Sequence, residues 1–119
     1  MADGGWPPEW LRALLPLCVL AVIAEQETYG YAIAQRLHAG GLGVIKGGTL
    51  YPVLNRLEQD GLVTSSWREG VGGPGRKFFA ATPAGRAHLA ERTTAWTTFT
   101  EQAAAVLAPP LPQATRRAR

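Results

Sequence analysis

Apolar residues recur along this chain with two different periods, and the places where the period changes divide it into elements. Over residues 9–25, Leu11, Leu14, Leu15, Cys18, Val19, Val22 and Ile23 follow three- and four-residue spacing, which predicts a helix. Trp10, Leu17 and Leu20 add apolar surface on its other sides, so this helix needs cover on more than one face. Pro16 falls inside it and is expected to kink or break it, because the ring collides with the carbonyl of Arg12. After a turn at residues 26–28, with Thr28 as candidate N-cap, residues 29–38 read as a second, short helix. Tyr31, Ile33, Ala34 and Leu37 are expected to face inward. Gly40, Gly41 and Gly43 then end the pattern.

The third periodic stretch begins after Gly47 and Gly48. Leu50, Val53, Leu54 and Leu57 make one apolar face, while Thr49, Tyr51, Asn55, Arg56 and Gln59 lie opposite. Hydroxyl groups bond phosphate oxygens, and Asn, Gln and Arg are the side chains that pair bidentately with purine edges. The polar face is therefore that of a recognition helix. Thr49 is its candidate N-cap, and Pro52, if confined to the first turn, places the start near Thr49 and Leu50. Gly61 closes it, and residues 28–60 together read as helix, turn, helix.

Beyond Gly61 the period changes. Residues 62–68 have strand composition, Val71, Gly72, Gly73, Pro74 and Gly75 supply turn chemistry, and residues 76–82 return. This is a hairpin, with Arg76 and Lys77 expected as paired cations at its tip. Thr82 followed by Pro83 marks a helix start that runs to about Leu107, before Pro109 and Pro110. Leu89, Trp96 and Ala103 stand seven apart with Phe99 and Val106 between, a heptad-like seam that nothing earlier in the chain covers.

Composition narrows the function more than it defines it. A chain of 119 residues makes one domain with a modest core. No apolar run reaches the eighteen or so residues of a membrane span, and no secretory signal is evident, so a cytoplasmic location without membrane contact is expected. Cys18 is the single cysteine, which excludes an internal disulfide, and Cys18, His38 and His88 lack the spacing of metal ligands. Neither metal nor cofactor is expected. No nucleophile–base pair or phosphate loop suggests an enzyme. The net charge of +3 is unevenly spread. Acidic groups dominate the first 27 residues, whereas Arg36, Lys46, Arg56, Arg68, Arg76 and Lys77 outnumber Glu58, Asp60 and Glu69 in the middle, and Arg116, Arg117 and Arg119 close the chain. A cationic middle block suits a polyanionic partner.

Four groups of residues carry a resemblance. They are Tyr29-Gly30-Tyr31-Ala32-Ile33; Gly48-Thr49-Leu50-Tyr51-Pro52; Arg56-Leu57-Glu58-Gln59-Asp60-Gly61-Leu62-Val63; and Gly73-Pro74-Gly75-Arg76-Lys77-Phe78-Phe79 with Thr82-Pro83-Ala84-Gly85-Arg86. In their order and spacing, over residues 14–99, the chain resembles the PadR family of bacterial winged-helix transcriptional regulators, in its small form with a single C-terminal helix. Tyr29 stands where His is common, and Phe78-Phe79 replaces a usual tyrosine pair.

The resemblance implies an α+β, mostly helical fold: a winged helix-turn-helix DNA-binding domain over residues 9–82 and a C-terminal dimerisation helix over 83–107. Residues 1–8 and 108–119 are expected to be disordered. It implies double-stranded DNA and a second copy of the chain as partners, with the protein acting as a repressor on an inverted-repeat operator. Lys46, Thr49 and Tyr51 would anchor phosphates, Asn55 and Arg56 would read bases, and Arg76 and Lys77 would reach a flanking minor groove or its phosphates. Trp10, Leu14, Trp96 and Phe99 would either pack the dimer core or line a site there for a small hydrophobic or aromatic effector. A winged-helix adaptor that binds proteins and has no operator is the competing reading.

Overall fold

The computed structural model describes residues 5–70 and 72–110. Helix α1 (Pro8–Glu25) leads through a two-residue strand β1 (Thr28–Tyr29) to α2 (Gly30–Leu37), which ends in a π turn at His38–Leu42. Helix α3 (Gly47–Gln59), strands β2 (Val63–Gly70) and β3 (Gly73–Ala81) and helix α4 (Pro83–Leu107) follow. The sheet is antiparallel, in the order β1-β3-β2. This is a mostly helical α+β winged helix-turn-helix, as the sequence led one to expect.

One core joins all these elements. Leu15, Val19, Leu20 and Ile23 of α1 meet Ile33 and Leu37 of α2, Leu50, Leu54 and Leu57 of α3, and Val63 and Phe79 of the hairpin. Phe79 packs the sheet onto the helices, and Thr28 lies opposite it in β1. Burying such side chains stabilises a fold by about 1.5–3 kcal/mol each. That energy fixes the inward face of α3, and so fixes which face it turns outward.

Several local expectations need correction. The break that Pro16 could have made does not occur: helix α1 continues through it as one element, and the carbonyl deprived of its amide belongs to the exposed residue Arg12. Thr28 does not cap α2. Its side chain is buried in β1, and Tyr29 takes the cap position. Tyr31 faces out, 66% exposed. Helix α3 starts at Gly47, with Lys46 rather than Thr49 as N-cap; the amides of Thr49 and Leu50 both bond the Lys46 carbonyl at 2.9 Å. Pro52 therefore sits in the second turn, and the carbonyl it leaves without an amide is that of exposed Gly48.

The hairpin is longer than expected. Its strands take in Gly73, Pro74 and Gly75, so Arg76 and Lys77 stand back from the tip. Strand alternation then sends them to opposite faces of the sheet.

Both ends of the α3–wing–α4 path are tied by local chemistry. Gly61, at φ 75°, closes α3 with Leu62 N–H to Leu57 O at 3.0 Å and Gly61 N–H to Glu58 O at 3.0 Å, a Schellman motif. Thr82 caps α4 as expected, its Oγ1 accepting from Gly85 N–H at 2.9 Å and donating to Gly61 O at 2.7 Å. Beyond Leu89, α4 leaves the core, and Phe99, Val106 and Leu107 are largely exposed. At the other end, Trp6 donates through Nε1 to Gly41 O at 2.8 Å and stacks on Trp10. Residues 1–4 and 111–119, the outer parts of the two stretches expected to be disordered, lie outside the described residues.

Candidate nucleic-acid interface

The outward face of α3 follows from its inward one. With Leu50, Leu54 and Leu57 in the core, Gly48, Pro52, Asn55 and Gln59 run along the middle of the exposed side at three- and four-residue spacing. Thr49 and Arg56 flank this line on one side and Tyr51 on the other. Arg56 is held extended by Asp60 one turn on, Nε to Oδ2 at 3.4 Å, an exposed pair of little energetic weight that nonetheless biases the guanidinium. Lys46 is exposed at the helix start, and no side chain caps the first turn.

The wing stands beside this face and is braced to it. Glu58 on α3 accepts from Ser65 Oγ at 2.6 Å and faces Lys77 Nζ at 3.8 Å. Lys77 is thus on the helix side of the sheet, half-buried and partly neutralised. Arg76 is on the other side, its guanidinium 4.5 Å over the Tyr29 ring. Tyr29 packs against Phe78 at 5.2 Å, and Arg68 lies 4.3 Å over Phe78 while pairing with Glu27. Arg68 and Arg76 are cross-strand partners. Two like charges opposed in register repel, and each is instead held on its own ring. Phe78, without a hydroxyl, serves as one of these platforms.

A groove of about 440 Å³ lies between α2, α3 and the wing, lined by Tyr29, Tyr31, Tyr51, Trp67, Arg76 and Lys77 among others. Tyr51 reaches it by lying against Gly30. A Cβ on Gly30 would meet the Tyr51 hydroxyl and stand 2.9 Å from Cζ, so glycine is what lets the ring settle there.

A separate, strongly apolar hollow of about 470 Å³ opens between α1 and α4. Trp6, Trp10, Leu14, Trp96, Phe99 and Leu107 contribute to its wall, and Glu9 is its one charged lining residue among the described residues. Trp96 and Phe99 sit with ring centroids 5.8 Å apart. Cys18 lies elsewhere, half-buried, and burial pushes its thiol up, away from reactivity. Among the described residues no group of His, Cys, Asp and Glu is placed to hold a metal, and no helix is long and apolar enough to cross a membrane.

The family model described as the transcriptional regulator PadR-like family matches residues 19–91, the span that holds most of the core, all of α3 and the whole wing. The chain belongs to the PadR-like family. A transcriptional regulator of Mycobacterium tuberculosis is 46% identical over 83 residues, 70% of this chain and 76% of that protein. Among solved structures, a PadR family transcriptional regulator from Eggerthella lenta superposes with a TM-score of 0.77 at 31% identity, covering 86% of this chain and 88% of that one. A PadR-like regulator from Bacillus cereus gives 0.75 at 26% identity, covering 86% and 99%. Membership makes the protein a transcriptional regulator, whose work is done on DNA.

Against that PadR-like background, the structure brings Tyr51, Arg76 and Lys77 together at one groove and leaves Thr49, Asn55 and Arg56 on the neighbouring helix face. Trp10, Leu14, Trp96 and Phe99 share the apolar hollow. Sequence reasoning placed Gln59 on the same polar face as Asn55 by helical spacing, as the structure does, but left it out of the expected DNA contacts. It also passed over Glu58, Arg68 and Trp67. Their places depend on the hairpin register, which pairs residues about ten apart and was not visible in the spacing.

Proposed function

We propose that this PadR-like chain is a sequence-specific repressor, located in the cytoplasm, that binds an inverted-repeat operator as a homodimer. The observation that carries the reading is the exposed face of α3, where Asn55 and Gln59, with Arg56 paired to exposed Asp60, face solvent beside a cationic wing. Asn55 and Arg56 read base edges in the major groove. Thr49, Tyr51 and Lys46 hold phosphates and set the register. Arg76 and Lys77 meet the flanking backbone, Lys77 exchanging Glu58 for a phosphate. The uncovered Trp96, Phe99 and Val106 seam on α4 supports a second copy as its cover, and a dimer would set two α3 helices about 34 Å apart.

The test is fluorescence anisotropy on a labelled fragment of the gene's upstream region, against a shuffled control, over a salt series. Tight, selective, salt-sensitive binding is the expected result. Absence of binding to either fragment at low salt would favour the adaptor.

Gly30→Ala offers a finer check. The atoms it displaces are the far end of the flexible Tyr51, so the fold should hold, with a thermal midpoint equal to the parent's or slightly raised. Operator affinity should fall by roughly threefold to tenfold, as for loss of a hydrogen bond. Tyr51→Ala should cost the same, and the double variant no more. Additive losses would separate Gly30 from Tyr51.

The apolar hollow supports a flat hydrophobic effector at the dimer interface, with Trp10, Leu14, Trp96 and Phe99 as its contacts. Such a ligand changes regulation only by favouring a dimer with a different helix spacing. Titrating planar hydrophobic dyes into the operator complex should release DNA; anisotropy that stays constant through saturation with every dye removes the effector.

A further inference from the structure

We propose that Trp67 is a DNA-contacting residue of the wing, and that the groove between the wing, α2 and α3 seats a stretch of sugar–phosphate backbone beside it. This rests on the DNA-binding reading above and adds a residue and a surface to it. Trp67 is 72% exposed on β2, an unusual place to leave an indole. It is not alone: Tyr31 is 66% exposed and Tyr51 48%, and both line the same groove. Clustered exposed rings mark a contact surface rather than scattered surface apolarity.

The chemistry of the cluster selects the occupant. Among the described residues, the charged groups that line the groove, Arg76 and Lys77, are both cations, and none of its lining residues is a carboxylate. Glu58 engages Lys77 from α3, at 3.8 Å. Rings that offer flat faces to sugars and bases, set among cations that neutralise phosphates, are the composition of a nucleic-acid strand site. Position agrees with composition. Trp67 is the cross-strand partner of Lys77, which puts indole and ammonium on the face of the sheet that looks toward α3. Tyr51 belongs both to the groove wall and to the outward side of α3, so the groove continues the helix surface without a break. With α3 in a major groove, backbone leaving that groove passes Tyr51 and enters here, and the indole meets sugar or base edges at the adjoining minor groove.

The test uses the full chain labelled with 5-fluorotryptophan. Four tryptophans give four fluorine resonances, and Trp67→Phe identifies the one that matters. On addition of a duplex the parent binds, the Trp67 resonance should shift. Trp67→Ala should weaken binding about tenfold with the salt slope unchanged, because no charge is lost. Trp67→Phe should retain most of the affinity, whereas Arg76→Ala should lower the salt slope by about 1. If Trp67→Ala failed to fold, the resonance of the unsubstituted chain would still decide. An unmoved resonance, or parent affinity in Trp67→Ala, overturns the proposal and hands the aromatic patch to a protein partner. A parent that binds no duplex at all sinks the DNA reading itself, which is a different result.

Discussion

Gly85→Ala should destabilise the protein by roughly 3 kcal/mol or more, at the upper end of what overpacking costs. Gly85 is buried in the first turn of α4, and a Cβ there would run into the Leu62 carbonyl oxygen and stand 2.9 Å from its carbon. Both obstacles are backbone, so no rotamer change relieves them. The turn would have to retreat, and with it would go Thr82 N–H to Leu62 O at 3.1 Å and Thr82 Oγ1 to Gly61 O at 2.7 Å. These bonds fasten α4 to the end of α3. In a domain of this size the loss corresponds to a drop of order 10 °C or more in the thermal midpoint, read by circular dichroism at fixed protein concentration. Gly48→Ala is the control. It lies exposed in α3 with open space where its Cβ would go, and should leave the midpoint unchanged or raise it. Equal midpoints for the two variants would mean that α4 can slide on Leu62 without loss, against the packing described.

How legible a feature was in the sequence depended on how local its cause is. The apolar faces of α1 and α3 could be read because burial imposes helical spacing on neighbouring residues. The start of α4 was placed to the residue because Thr82 and Pro83 carry their own cap chemistry. Thr28 failed the same test. Its hydroxyl suits a cap, but Phe79, far along the chain, claims it as a strand partner. Tyr31 was misplaced because an aromatic at a borderline helical position reads as core, and only the wing opposite explains why it faces out. Arg76 and Lys77 were read as one pair because they are adjacent. In a strand, adjacency means opposite faces, and their different partners, Tyr29 and Glu58, come from separate elements. The candidate base-reading face of α3 was visible as a pattern of residue types. The groove beside it was not, since it exists only once the hairpin register and Gly30 bring four aromatic side chains to one place.

Phe99→Asp should have the largest functional effect, through association rather than through contact with DNA. In the proposed homodimer the α4 seam is covered by the partner, and Phe99, 60% exposed in the single chain and packed on Trp96, lies in its middle. A carboxylate there must either be buried without a partner, at a cost of several kcal/mol, or keep the copies apart. Sedimentation at micromolar concentration should show a dimer for the parent and a monomer for the variant. Operator affinity should fall by roughly 10²- to 10⁴-fold, the advantage of binding two half-sites through one linked molecule. Affinity for a single half-site should not change, because α3 and the wing are untouched. Thr97→Asp adds the same charge at an exposed position about 160° round α4 from Phe99 and should keep both dimer and affinity. A Phe99→Asp protein that remains dimeric would place the interface elsewhere. One that becomes monomeric yet binds the full operator as tightly as the parent would mean that each copy acts alone, and the inverted-repeat mechanism would fail with it.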